Sequence, residues 1–277
     1  MIWKKDRLRP TQPYFVFDTE NFLQNIYLQD GISHFYQYNK INDKPIRTVP
    51  DGCIDISFEY LNGHMTGWAC GTPLSYHVEE SIGEGQCFGV RFMPGMQPHI
   101  LLVSMKGLLD SRLPLHSVLI PDTALLDVMA AADTFEERIA AFLQIYKKQA
   151  LKKQKTFGKA ELVQSVKNMA YDSDGRIRVA ELAESTGYSE RYINKIFLEE
   201  MGFSPKTFCK IIQFQRALEF LNYGSPDKMT DAAVDLGYYD QSQFIRDFSR
   251  YAGVTPRRYQ QMVLQQDYRR RVKTEEV

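Results

Sequence analysis

Between Ser33 and Phe92 the chain sets short apolar runs between turn residues. Cys53-Ile54-Asp55-Ile56-Ser57-Phe58-Glu59-Tyr60 partly alternates apolar with polar positions, the period of a strand with one buried face. Pro50-Asp51-Gly52, Leu61-Asn62-Gly63 and Gly83-Glu84-Gly85 break such runs at the spacing of an antiparallel sheet. After Pro94-Gly95 the period changes. Ile100, Leu101, Met105 and Leu108, and then Phe135, Ile139, Phe142, Leu143 and Tyr146, recur at steps of three and four, which predicts helices. The later helix carries one apolar face, to be covered by the sheet or by a second copy of the chain. Lys147-Lys148 and Lys152-Lys153-Gln154-Lys155 form a charged stretch ending at Gly158 that reads as a linker. Beyond Lys159 everything reads as helix and turn. The predicted class is α+β in two domains, a β-rich sensory or partner-binding domain over residues 1–150 and an all-helical domain over 158–265.

The helical part repeats itself. Ala180-Glu181-Leu182-Ala183, the turn Gly187-Tyr188-Ser189, a helix from Glu190 to Glu200 and the stop Met201-Gly202-Phe203-Ser204-Pro205 make a first unit. Ala232-Ala233-Val234, the turn Gly237-Tyr238-Tyr239-Asp240, a helix from Gln241 to Tyr251 and the stop Ala252-Gly253-Val254-Thr255-Pro256 make a second. Phe197, Gly202, Pro205 and Phe208 match Phe248, Gly253, Pro256 and Tyr259 at one constant offset. Each unit has the grammar of a helix-turn-helix: a small residue where the helices cross (Ala183, Ala233) and a glycine able to take positive φ in the turn. Tyr192, Ile193, Ile196 and Phe197 in the first unit, and Phe244 and Phe248 with Ile245 nearby in the second, are expected on the inner faces. The opposite stripes then carry Arg191, Asn194 and Lys195, and Gln241, Ser242 and Arg246, whose hydrogen-bonding groups suit base edges in a major groove. A long helix from Pro205 to Tyr223 would set the distance between the two readers, making the target double-stranded DNA with a bipartite site.

Composition supports a folded chain: 44% of the 277 residues are apolar and 25% charged. Net charge is zero, yet residues 150–277 hold 21 Lys and Arg against 17 Asp and Glu, while the remainder holds 13 against 17. The positive excess lies on the half expected to meet a polyanion. The start Met1-Ile2-Trp3-Lys4-Lys5 opens no apolar run, and no stretch of about 18 apolar residues follows, so a cytoplasmic chain without contact to a membrane is expected. Cys53, Cys70, Cys87 and Cys209 lack a C-x-x-C spacing and read as reduced thiols.

From Val179 to Tyr259 the chain resembles the DNA-binding domain of the AraC/XylS transcription regulators. The resemblance rests on Gly187 to Gly202 and Gly237 to Gly253 around the two second helices, on Gln215-Arg216-Ala217-Leu218, and on the closing Gly253-Val254-Thr255-Pro256-Arg257-Arg258-Tyr259. It implies base contacts at Arg191, Asn194 and Lys195 and at Gln241, Ser242 and Arg246, promoter DNA and RNA polymerase as partners, and activation rather than repression. The acidic Glu190 and Asp240 at the helix starts suit the helix dipole and would repel phosphates. Pro50-Asp51-Gly52-Cys53-Ile54-Asp55 and Gly89-Val90-Arg91-Phe92-Met93-Pro94-Gly95 resemble a sensor domain attached to some members, which implies a cupin-like β-barrel followed by helices, receiving a signal; a small-molecule effector and, from the size of such regulators, a homodimer are the further partners to test.

A cupin-like fold raises the question of a metal enzyme. His34, His64, His77, His99 and His116 are scattered singly, with no H-x-H or H-E-x-x-H spacing, so neither an enzyme nor a cofactor is expected. Asp51, Asp55 and Arg91 sit in or beside apolar strands and need partners if buried, as an ion pair or as polar anchors of a ligand pocket. Phe35, Tyr36, Tyr38, Phe58, Tyr60, Trp68 and Phe92 would serve equally as barrel core or as cavity lining, and Asp51, Asp55, Arg91 and Trp68 are the ligand-binding candidates. The competing function class is a signal-binding or protein-interaction adaptor with weak DNA contact.

Overall fold

A computed structural model describes residues 9–80, 83–121, 123–150, 159–223 and 233–275. The alternation read at 53–60 becomes strand β4 (Asp55–Leu61), which pairs antiparallel with β5 (His64–Cys70) through the turn at Asn62-Gly63 and with β7 (Gln86–Phe92) on its other side. β2 (Ile32–Lys40) and β1 (Thr19–Ile26) extend the sheet beyond β7, and β8 (Arg112–Pro114) borders β5. The short strands β3 (Ile46–Thr48) and β6 (His77–Glu79) form a separate ribbon. A last strand, β9 (Lys273–Glu275), pairs in parallel with β1, giving the order β8-β5-β4-β7-β2-β1-β9. The expectation of helix and turn alone beyond Lys159 is corrected here. Three residues with no apolar alternation become a strand because β1 offers them an unpaired edge, a tertiary fact that no local pattern encodes.

The strand period of two splits side chains between the faces of the sheet. Phe35, Ile56, Phe58, Phe88, Val90 and Phe92 are fully buried on one face. Helix α5 (Phe135–Ala150) covers that face, with Phe142 against Phe35, Phe135 against Phe88 and Tyr146 against Phe92 at ring separations of 5.4–6.2 Å. The apolar face of that helix therefore lies in the core of its own chain. Of the earlier helical reading only Met105–Leu108 forms a helix, α2, while Ile100 is buried before it and Leu101 bridges to Leu119. Tyr36, Tyr38, Asp55, Ser57, Glu59, Cys87 and Arg91 point to the other face. The short helices α3 (Leu115–Val118) and α4 (Leu125–Ala130) complete this half.

In the helical half, α6 (Lys159–Asp172) packs beside the first unit, formed by α7 (Val179–Thr186) and α8 (Glu190–Met201). The connector α9 (Pro205–Tyr223) leads to α10 (Gln241–Ala252), α11 (Pro256–Gln265) and α12 (Tyr268–Arg271). The lysine-rich stretch 152–155 lies outside the described residues. So does Ala232 of the second unit's first helix, whereas Ala233 is buried. Twelve of the nineteen residues of α9 are buried, too many for a helix with a single inward face. Among the described residues no helix is long and apolar enough to cross a membrane.

Lys167 on α6 is buried and, among the described residues, donates to Gly95 O at 3.5 Å and Gln164 Oε1 at 3.2 Å; burial pulls its pKa down to about 8. Between that value and about 10.5, the ordinary lysine value, the unfolded chain holds a proton that the folded chain has released, so this group makes stability rise with pH across the window. The expected outcome for Lys167→Met is a gain over the parent of up to roughly 3 kcal/mol below pH 8, narrowing as pH approaches 10. Urea midpoints at several pH values check this; parallel pH curves for the two proteins would remove Lys167 as the cause.

Candidate nucleic-acid interface and cavity

The two units begin and end with the same chemistry. Ser189 caps α8 by accepting from Tyr192 N, and Asp240 caps α10 by accepting from Gln243 N at 2.7 Å. Ser204-Pro205 and Thr255-Pro256 start the following helices with a capping hydroxyl and a proline at the first position. Gly187 and Gly237 take φ of 73° and 75°, as the turns require. Behind the surface, Phe197 meets Phe208 at 5.6 Å in one unit and Phe248 meets Tyr259 at 5.5 Å in the other. Asp240 thus spends its carboxylate on its own helix end.

Ile193, Ile196, Phe197 and Met201 bury the inner face of α8, and Phe244, Phe248, Tyr251 and Ala252 that of α10. Arg191 and Lys195 are exposed on the outer stripe, Lys195 lying 3.9 Å from Glu199. Asn194 is half-buried and donates to Glu190 O at 2.8 Å. Gln241, Ser242 and Arg246 are exposed on α10. The structure therefore brings each predicted triplet together on one helix. Tyr192 and Ile245 are corrections. Both are 39% exposed rather than inward, and Tyr192 stacks on Tyr188 at 5.2 Å because the capped start of the helix turns this position toward solvent.

On the free face of the sheet a cavity of about 240 Å³ is lined by Tyr36, Tyr38, Asp55, Ser57, Glu59, Cys87 and Arg91 from β2, β4 and β7 and by Gln12 and Phe15 at the N-terminal segment. Asp55 and Arg91 are direct cross-strand partners. Arg91 donates to both oxygens of Asp55, at 2.9 and 2.5 Å, and lies 3.1 Å from Asp51. Asp55 also accepts from the Tyr36 hydroxyl at 2.9 Å. Burial opposes the charge on Arg91, but Asp55 and Asp51 hold its pKa well above the ordinary arginine value; burial also raises the Asp51 carboxyl against the pull of Arg91. Trp68 is not among the residues lining the cavity; its ring lies under Arg112, 4.1 Å from the guanidinium, and Arg112 does line it. Phe35, Phe58 and Phe92 belong to the opposite, helix-covered face.

Cys53, Cys70 and Cys87 also line the cavity, and all four cysteines are free. Burial pushes the Cys70 thiol up to about 11 and the Cys87 thiol up to about 12, so both stay protonated at neutral pH. Among the described residues no three His, Cys, Asp or Glu side chains are arranged to hold a metal ion.

Residues 182–262 match the family model of a helix-turn-helix domain, and residues 25–114 match that of a domain of unknown function, DUF6597. A probable AraC family transcriptional regulator from Rhodopseudomonas palustris CGA009 is 30% identical over 37% of this chain and 97% of its own, with a TM-score of 0.34. Residues 182–262 thus form a helix-turn-helix domain. An uncharacterized HTH-type transcriptional regulator of Staphylococcus aureus strain MSSA476 is 29% identical over 83 residues, which make up 30% of this chain and only 11% of that relative. ToxT from Vibrio cholerae O395 aligns over 85% of this chain and 99% of its own at 11% identity and a TM-score of 0.46.

In this helix-turn-helix chain the cavity and helices α8 and α10 share one short segment, Thr11 to Phe17, which holds helix α1 (Pro13–Phe17). Gln12 donates to Asp51 Oδ2 at 2.8 Å and to Val49 O, and accepts from Val49 N. Gln215 of α9 accepts from Thr11 N at 2.8 Å and donates to Pro50 O at 2.8 Å. Tyr14 donates to Ala252 O at the end of α10. Both reading helices also abut the β-rich half where they stop. A Cβ at Gly202 would lie 2.8 Å from the backbone of Lys106, and one at Gly253 2.6 Å from the ring of Tyr76. Glycine is needed there twice over, for the close approach and for φ values of 80° and 72°.

The sequence reading missed Gln12, Phe15, Glu59 and Arg112, and it placed Gln215 on the connector without its partners. Glu59 was within reach, since it continues the polar positions 55 and 57 at the strand period. The partners of Gln12 and Gln215 left no local signal, because they lie far along the chain. For Gln215→Leu, which leaves Thr11 N and Pro50 O buried without that partner, a loss of about 1–3 kcal/mol is expected. Guanidinium unfolding of the full chain measures it, and an unchanged midpoint would show that the bonds contribute nothing net.

Proposed function

We propose that the chain is a transcription regulator that reads double-stranded promoter DNA with α8 and α10 in successive major-groove segments, about one helical turn or ~34 Å apart. The observation that carries this reading is the pair of helices, each with a side-chain N-cap and a left-handed glycine at its end, fixed to one buried connector and each carrying its polar triplet away from its buried face. Arg191 and Arg246 have the donor fork suited to guanine, while Asn194 and Gln241 have the amide suited to adenine. Residues 158–265 form the DNA-binding domain and residues 1–150 the signal-receiving domain. A small-molecule effector occupies the cavity, and RNA polymerase is the partner whose recruitment changes. The bonded path from Asp51 through Gln12 and the Thr11 backbone to Gln215 supports transmission from cavity to connector.

Fluorescence anisotropy on duplexes from upstream of the chain's own and neighbouring genes, with scrambled competitor and a salt series, tests the DNA reading. Arg191→Ala and Arg246→Ala are each expected to weaken specific binding by about 1–3 kcal/mol and to relax preference at one base position. Equal, salt-labile binding to every duplex would favour the adaptor reading instead.

The sensor reading has its own test. Ser57→Phe fills the cavity without touching α8 or α10, and a change of at least threefold in output from a target promoter reporter is expected. Parental output from a variant with parental secondary structure by circular dichroism would disconnect the cavity from regulation.

A further inference from the structure

The charge inside the cavity is unbalanced. Six carboxylates line it, from Asp51, Asp55, Glu59, Glu79, Glu80 and Asp110, against the imidazole of His77 and three lysine and arginine side chains, Lys40, Arg91 and Arg112. Each of those cations is already engaged. Arg91 is shared by Asp51 and Asp55, Arg112 by Glu59 and Glu79, and Lys40 pairs with Glu59. An entering anion would find its potential partners occupied and would face the carboxylate excess. At the deep end two carboxylates share one guanidinium, and all three side chains are at least nine-tenths buried. Water screens such an excess poorly, so a positive ligand group is favoured there over a neutral one.

The remaining walls suit the same ligand. Phe15 packs 5.4 Å from Tyr36 and 5.3 Å from Tyr38, and Tyr36 and Tyr38 stack nearly parallel at 6.0 Å, so one side of the cavity is an aromatic wall. Ring faces carry negative electrostatic potential and attract cations, with Arg91 itself 5.5 Å from the Phe15 ring. The cavity is smaller than the usual range for drug-sized ligands. We infer that its effector is a small organic cation, a primary or quaternary amine carrying a compact apolar group, with the ammonium held on the carboxylate side and the apolar group against Phe15, Tyr36 and Tyr38. This rests on the sensor reading above and adds the ligand's chemical class.

The test uses the full-length protein and three probes of similar shape: 2-phenylethylammonium, neutral 2-phenylethanol and anionic 3-phenylpropionate. Isothermal titration and thermal shift are expected to rank the ammonium at least tenfold tighter than either of the others. The double variant Glu79→Gln and Glu80→Gln, at the half-exposed and exposed positions, is expected to reduce that preference at least fivefold while leaving 2-phenylethanol binding unchanged. Asp55→Asn reports on the deep end if it folds; the rim variant decides the matter if it does not. Equal or tighter binding of the alcohol or the carboxylate overturns the amine class while leaving a ligand cavity in place. Binding of none of the three at millimolar concentration also overturns it, and the sensor reading then stands or falls on the Ser57→Phe reporter.

Discussion

Burial of α9 on more than one face is the constraint on which the rest of this structure depends. A helix with a single inward stripe can be supported by one neighbour, but twelve buried residues in nineteen demand neighbours around most of the circumference. Phe208 faces Phe197 of the first unit, and Phe214 faces Phe248 and Tyr251 of the second. Gln215 faces the N-terminal segment. Apolar burial supplies the driving force, while the polar groups carried inside with it must find partners, since an unpaired buried amide costs more than a formed bond returns. Gln213 bonds to Leu236 O and Asn222 receives the Tyr259 hydroxyl, so each of these amides ties a different element to the connector.

The same constraint couples the two halves. Because the connector is inside, the β-rich half cannot move relative to the reading helices without exposing apolar area or breaking buried bonds. The contacts at Lys106 with Gly202 and at Tyr76 with Gly253 place that half against the stops of both readers. A change at the Asp51–Arg91–Asp55 cluster is one side chain, Gln12, away from the segment that bonds to α9. The route is short and made of hydrogen bonds with defined partners.

The cavity exists because the strand period places apolar and polar residues on opposite faces, and only one face is covered by α5. Where Phe88 and Val90 lie on the helix-covered face, the flanking Cys87 and Arg91 line the cavity, closed by the N-terminal segment and the β3–β6 ribbon. The charged residues there are tolerated because nearly all of them are paired, and the pairs leave carboxylates in excess.

Local pattern was enough to determine the strand-rich and helical parts, the two repeated units, their glycine turns, and the stripes that carry Arg191, Asn194, Lys195 and Gln241, Ser242, Arg246 away from the buried faces. Each follows from periodicity or from end chemistry within about a dozen residues, and those are interactions a linear sequence displays. Tertiary structure decided the rest. It turned Tyr192 and Ile245 outward, set Trp68 under Arg112 rather than in the cavity, drew Lys273–Glu275 onto β1, and joined Gln12 to Asp51 and Gln215 to Thr11 across 39 and 204 residues of chain. Those outcomes depend on which surfaces meet, and burial with hydrogen-bond satisfaction between distant segments leaves no period along the chain from which to read them.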